Sequence, residues 1–217
     1  MYLPDSFRQD NPEAIRDLID HHPLATLVTI SSGAFEANHL PLLFIAPSDT
    51  HPQGTLLGHI ARANPLWQAS PANAEALAIF QGPAHYITPN WYPSKREHGR
   101  AVPTWNYTAV HIHGKLAFHH DPAWLLGAVT LLTNHQEASL RQPWQVADAP
   151  AEYTAGLLKA IVGIELHITR IEAKWKVSQN RSEEDRIAVA AELEKLESRE
   201  AGKMAELVRQ RLPEPSE

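Results

Sequence analysis

Residues 24–45 read LATLVTISSGAFEANHLPLLFI, and this stretch decides the fold. Leu24 to Ile30 is a short, β-branched apolar run, which favours a strand over a helix. Ser31-Ser32-Gly33 supplies turn chemistry, and Ala34 to Ile45 continues as a second extended run, so the stretch predicts a β-hairpin. Upstream, Asn11-Pro12 followed by Ile15, Leu18 and Ile19 predicts a capped helix of about two to three turns that ends at His22-Pro23. Downstream, Pro47 to Gly54 is a polar loop and Thr55 to Ile60 (TLLGHI) a third strand. Asn64-Pro65 then leads into a short helix, and Ala76 to Phe80 forms a fourth strand.

Phe80 to Tyr107 (FQGPAHYITPNWYPSKREHGRAVPTWNY) holds six of the sixteen aromatic residues and four prolines, yet shows no periodicity through its middle. A long, aromatic, proline-stiffened segment between strands is more often a binding loop than a linker. Thr104 to Phe118 alternates again, with Val110, Ile112, Leu116 and Phe118 on one face, and Gly114 marks a bulge or a close approach. Asp121-Pro122 caps a helix reaching Glu137, Ala151 to Ala160 is another, and Gly163 to Lys176 returns as a long strand with Ile164, Leu166 and Ile168 on one face. From Ser182 to Arg211 a single charged helix carries a broken apolar stripe of Val189, Leu193, Leu196, Met204 and Leu207. Pro213 and Pro215 close the chain. The expected fold is mainly β with helices (α+β), an antiparallel barrel with peripheral helices. The expected division is a domain over 1–182, including inserted helices within 121–160, followed by the helix and tail of 183–217.

With 217 residues, 43% hydrophobic and 20% charged, the chain suits a folded domain with a full core. It has no cysteine, which removes disulfides and thiolate metal sites and makes cytoplasmic residence the simple expectation. The N-terminal residues lack a basic-then-apolar signal pattern, and no run of eighteen apolar residues exists. A net charge of −6 argues against a nucleic-acid binder that works through a broad basic face.

Three constellations carry chemistry. Gly58-His59-Ile60-Ala61-Arg62-Ala63-Asn64-Pro65 runs from a strand end into a turn, where backbone N–H groups, His59 and Arg62 suit a phosphate or another anion. A surface arginine beside a capping asparagine explains the same residues without a ligand. Thirteen histidines, among them His111, His113 and the pair His119-His120, raise a metal site, but no helical i, i+4 pair or attendant carboxylate accompanies them, and no metal is expected. Lys174-Trp175-Lys176-Val177-Ser178-Gln179-Asn180-Arg181 ends a strand in three side chains able to read a heterocyclic ring edge while a lysine holds an anion; an ordinary polar turn is the alternative. Nucleophilic or paired-carboxylate catalysis has no support.

Taken together, Met1-Tyr2-Leu3-Pro4, Asn38-His39-Leu40-Pro41, Gly58 to Pro65, Phe80-Gln81-Gly82-Pro83, Trp91 to Lys95, Val102 to Tyr107, Ile161 to Glu165 and Lys174 to Arg181 resemble one family. It is the PaiB-type family of FMN-binding negative transcriptional regulators, matched from Met1 to about Leu193. The helix past Leu193 is read as an extension peculiar to this chain.

The resemblance implies a split β-barrel of the flavin-reductase type, a homodimer, and FMN at the subunit interface. It implies the phosphate near His59, Ala61, Arg62 and Asn64, with Asn38, His39 and Leu40 beside the ring and ribityl chain. Lys176, Ser178, Gln179 and Asn180 would approach the isoalloxazine, from the same subunit or its partner, with Trp105 as a wall and Lys95 and Asn106 as further contacts. Regulation is implied by the resemblance alone. Lys95, Arg96, Arg100, Arg181 and Arg186 are the basic groups available for DNA. An FMN-dependent oxidoreductase acting on a small molecule and a haem-binding or haem-degrading protein are the alternatives.

Overall fold

The computed structural model describes residues 1–31, 33–71 and 73–212; Ser32 of the expected turn and the tail 213–217 lie outside the described residues. The elements are α1 (Pro12–His21), β1 (Leu24–Ser31), β2 (Ala34–Pro41), β3 (Leu43–Ile45), β4 (Thr55–Ala61), α2 (Leu66–Ala69) and β5 (Glu75–Ile87). Then follow α3 (Ser94–His98), β6 (Thr104–His119), α4 (Pro122–Glu137), α5 (Ala151–Leu158), β7 (Ile161–Lys176), α6 (Glu183–Glu194) and α7 (Arg199–Arg209). Among the described residues no helix is long and apolar enough to cross a membrane.

The seven strands form one sheet in the order β2-β1-β5-β6-β7-β4-β3. The predicted hairpin is there, β1 and β2 pairing antiparallel from Leu24↔Pro41 to Ser31↔Ala34. The strands at the two ends of the order, β2 and β3, are separated in sequence by Leu42 alone. In a flat sheet six inter-strand gaps would hold them roughly 29 Å apart, whereas one residue spans about 3.6 Å. The sheet therefore has to curl until its edges meet. Gly58 on β4 records the meeting: a Cβ there would lie 2.7 Å from Leu42 Cδ2 and 3.0 Å from the Pro41 carbonyl oxygen. The fold class is the expected one, an antiparallel split barrel with peripheral helices.

All seven strands take part in one of two compact units, made of 16–80 and 111–171. Its core follows the pleat: Ala25, Leu27, Leu56, Ala78, Phe80, Ile112, Leu116, Ile164 and Leu166 are buried. Gly114, expected as a bulge or close approach, is a close approach, since a Cβ would meet the His167 backbone. Helix α4 covers β3 and β4 through Ala128, Trp124 and Leu132 against Leu43 and Leu57. The Trp124 ring lies where a Cβ on Gly163 would be.

The other unit combines residues 1–15, 81–110 and 172–217. It has its own core, in which Ile87, Tyr92 and Val177 pack with Val189, Leu193, Met204 and Val208. Three expectations change. The run 34–45 is two strands, because Leu42 leaves the ladder and its N–H donates to the Pro23 carbonyl at 2.9 Å. The 80–107 segment is strand as far as Ile87; Pro83 is tolerated because β1 pairs β5 only from Thr26↔Ile79 to Thr29↔Ala76. The C-terminal helix is two helices, since Glu197 turns the chain at φ +49° and the Glu194 carboxylate takes two bonds from Arg209 at 2.6 and 2.8 Å. Leu196, at this turn, is correspondingly exposed.

The tight edge closure predicts that Gly58→Val lowers stability by about 1–3 kcal/mol, seen as a reduced midpoint in urea. An unchanged midpoint would show that β4 and the β2–β3 joint are not held in contact.

Candidate functional site

The first cluster belongs to the unit made of 16–80 and 111–171. Arg62 follows β4, and its main chain is fixed twice: its N–H donates to Ala160 O at 2.7 Å, and its carbonyl accepts from Trp67 Nε1 at 2.9 Å. The guanidinium spreads over the turn into β7, with Nε donating to Lys159 O at 2.6 Å, Nη2 to Ile161 O at 2.7 Å, and Nη1 3.3 Å from His120 Nδ1. No carboxylate pairs with it among the described residues. Carbonyl oxygens orient the cation but leave its charge uncompensated, which favours an anion on its free N–H groups.

Asn64 stands beside it. Its Oδ1 accepts from Leu66 N at 3.0 Å, capping the short α2, and its Nδ2 donates to Asn38 Oδ1 on β2 at 2.6 Å. Two buried nitrogens here have no partner, Asn38 Nδ2 and His59 Nδ1. Burial holds the His59 pKa below its usual 6.5, so the imidazole is neutral and Nδ1 can donate or accept. An unpartnered buried polar atom costs about 1–3 kcal/mol, a cost removed by a polar ligand. A ribityl phosphate, with hydroxyls and anionic oxygens, has the groups these atoms lack, so the residues fit FMN. Leu40 is buried, while His39 and Ala61 are exposed.

The second cluster lies in the other unit, at the end of β7. Ser178 takes the left-handed conformation, φ +66°, and its hydroxyl accepts from Asn106 Nδ2 at 2.9 Å, both side chains being buried. Lys176 Nζ donates to Thr104 Oγ1 and, at 2.6 Å, to Trp105 O. Its pKa is lowered by burial first and then by Lys174 and Arg181 nearby. Gln179 turns back on its own strand end: Oε1 accepts from Val177 N at 2.7 Å and Nε2 donates to Trp175 O. Asn180 is exposed.

Alternation along β7 sets Lys174 on the same face as Lys176, and Lys174 is buried, at 7% exposed. Its ammonium donates to Tyr2 O at 3.1 Å and lies 5.3–5.9 Å from the rings of Tyr2, Phe7 and Tyr107. Arg181 sits 4.7 Å above the Tyr92 ring.

The connection between β5 and β6 is pinned rather than loose. Ser94 gives its N–H and its hydroxyl to the buried Asp185 carboxylate at 3.1 and 2.7 Å, and Lys95 Nζ donates to Asn90 Oδ1 at 2.6 Å. Tyr92 belongs to the core, while Trp105 is 57% exposed and meets Tyr86 edge-on at 6.1 Å. Local motifs gave no notice of His120, Trp67 or the 159–161 carbonyls around Arg62. The adjacent histidines 119 and 120, read only for metal, were the available signal.

A family model described as "Putative FMN-binding domain" matches residues 1–170. Protease synthase and sporulation protein PAI 2 of Bacillus subtilis is 35% identical over 212 residues, 98% of this chain and 98% of that protein. An uncharacterized protein of Emericella nidulans is 34% identical over 97% of each chain. The segment past Leu193, expected to be peculiar to this chain, thus lies within a span shared with relatives. The FAD and heme binding protein of Mycobacterium smegmatis has a TM-score of 0.59 at 18% identity, covering 78% of this chain and 73% of its own. Flavocytochrome Anf3 of Azotobacter vinelandii has a TM-score of 0.55 at 13% identity, covering 78% and 69%. At these identities the structural likeness is one of fold alone.

The depressed His59 pKa fixes the sign of a pH effect. Between the folded pKa and 6.5 the unfolded chain binds the extra proton, so stability rises with pH through that window. The neutral His59 is without penalty above 6.5 and destabilises as pH falls toward the folded value. In urea titrations from about pH 7 to pH 5, His59→Gln should lose less stability on acidification than wild type. Equal losses would place His59 in water.

Proposed function

This chain belongs to the FMN-binding domain family, the PaiB-type family its motifs resemble, and we propose that it binds FMN with the phosphate end at Arg62. The observation that carries the reading is the pairing of an uncompensated, carbonyl-oriented guanidinium with two buried unpartnered nitrogens, Asn38 Nδ2 and His59 Nδ1. Arg62 holds the phosphate charge. Asn38, His59 and Asn64 supply amide and imidazole partners to the ribityl hydroxyls, with His39, Leu40 and Ala61 along the same strand ends.

For the isoalloxazine edge the proposed groups are Lys176, Asn106, Ser178 and Asn180, with Trp105 as a wall. They come from the same chain or from its partner. Gln179 acts by holding the Val177–Ser178 backbone, because both its polar ends are committed there. Lys95 is the remaining proposed contact. When bound, a flavin supplies electron-transfer chemistry; the protein's part is to bind it, orient it and set the charge around it. Lys176, with no paired carboxylate among the described residues, brings an ammonium to that edge, and burial with Lys174 and Arg181 nearby makes its proton easier to lose than an ordinary lysine's.

The proposed physiological form is a cytoplasmic homodimer whose flavin serves negative regulation of transcription. Large apolar groups left on strand surfaces support a dimer: Ile30 faces Phe35 across β1–β2, and both are exposed, as are Trp105 and Tyr86. For regulation, the support is the family resemblance and the exposed bases Lys95, Arg96 and Arg100.

Arg62→Ala should weaken FMN binding by about ten- to a hundredfold, the range for a charge-assisted contact worth roughly 1.5–3 kcal/mol, read by quenching of flavin fluorescence. Asn38→Ala should weaken it less. Wild-type affinity in Arg62→Ala would remove the phosphate assignment. A gel shift at low salt with no retarded band would remove direct DNA binding and leave the flavin reading intact.

A further inference from the structure

The helical excursion between β6 and β7 encloses a groove of about 840 Å³, within the usual range for small-molecule sites. One wall is the outward face of α4, with Leu126, Thr130, Asn134 and Glu137. The other is α5, where Ala151, Thr154, Ala155 and Leu158 fall at i, i+3, i+4 and i+7 and so share one face. Two helices normally fill the space between them with side chains. Here α5 presents two alanines to it, and the space stays open.

The third side is the chain 143–149, and it is fixed in place. Trp144 N donates to Glu137 Oε2 at 2.9 Å, anchoring this wall to α4, and Gln145 N donates to Asp148 Oδ2 at 2.9 Å. Trp144 and Leu126 are nonetheless nearly half exposed, at 46% and 42%. Apolar surface lining a preformed concavity is the usual mark of a ligand site.

The lining also gives the ligand's polarity. Glu137 is the single charged side chain in it, and no basic residue pairs with that carboxylate among the described residues. One Glu137 oxygen holds Trp144 N; the carboxylate keeps further acceptor capacity and negative charge. Thr130 is already committed to Leu126 O at 2.7 Å, whereas Asn134 and Thr154 bring further polar ends to the same lining.

We infer that this groove is a second binding site, for a small molecule with an apolar ring or short chain and a protonated amine at one end. The apolar body lies along Trp144, Leu126 and Leu158, and the ammonium meets Glu137. The site is independent of the flavin reading, because none of its residues belongs to the groups assigned to FMN.

The test compares tryptamine with 3-ethylindole, which has the same ring and no amine, by isothermal titration of the full chain. Tryptamine should bind saturably at one site per chain and more tightly than 3-ethylindole. Ala155→Trp, a substitution at an exposed position, should weaken both by at least about tenfold. Glu137→Gln keeps an acceptor for Trp144 N and should bring tryptamine down to the level of 3-ethylindole, leaving 3-ethylindole unchanged. Circular dichroism on both variants should match wild type. The inference is overturned if neither probe saturates at millimolar concentration, if Ala155→Trp leaves binding intact, or if Glu137→Gln weakens both probes equally. Sedimentation showing that Ala155→Trp dissociates an assembly, with no probe binding to wild type, would assign the groove to a second copy and overturn it as well.

Discussion

The single-residue joint at Leu42 is the constraint on which the structure depends. It ties the first strand in the sheet order to the last, so the sheet has no flat solution. Gly58 is the consequence at the seam, since any side chain there would strike the Pro41 carbonyl or the Leu42 side chain. The candidate phosphate cluster is a second consequence. Asn38 comes from β2, first in the order, and Asn64 follows β4, sixth in the order. Their amides meet at 2.6 Å because the sheet has curled. A fold that failed to close would separate the two asparagines and expose His59 to water.

Charge distribution is the second theme. The chain carries a net charge of −6, yet Arg62, Lys174 and Lys176 are each held by carbonyl, hydroxyl or aromatic groups instead of carboxylates. Holding a cation with dipoles keeps its charge available to a ligand, whereas an ion pair would neutralise it. Lys174 differs from the other two: it is buried among Tyr2, Phe7 and Tyr107, and its role is to join the N-terminal residues to β7. Elsewhere, where charges have structural work only, they pair directly, as Glu194 does with Arg209 between α6 and α7.

Most of the fold was legible because its strands alternate. Val110, Ile112, Leu116, Ile164, Leu166 and Ile168 are buried where period-two reading expects them. Local reading failed where a long-range partner decides. The fourth strand was expected to end at Phe80, but it runs on through Pro83 to Ile87, because β5 has left β1 by that point and tolerates the missing N–H. The turn between α6 and α7 uses Glu197 at positive φ, with no glycine or proline to announce it. In the candidate site, Arg62 and His59 could be picked out as suitable types, and Asn38 only through the family resemblance. The carbonyls that aim Arg62 come from residues 159–161, about a hundred positions away, and no motif centred on Arg62 contains them. Gln179 was legible as a polar end and illegible as a brace, because that depends on how the backbone turns at Ser178.

The central claim is that FMN is held through its phosphate by Arg62 and its neighbours. The direct measurement is a paired titration of the wild-type chain with FMN and with riboflavin, which has the same ring and ribityl chain and lacks the phosphate. The account predicts that FMN binds more tightly by at least about tenfold, equivalent to roughly 1.4 kcal/mol, and that the difference shrinks as ionic strength rises. Equal affinities for FMN and riboflavin at low salt would contradict it.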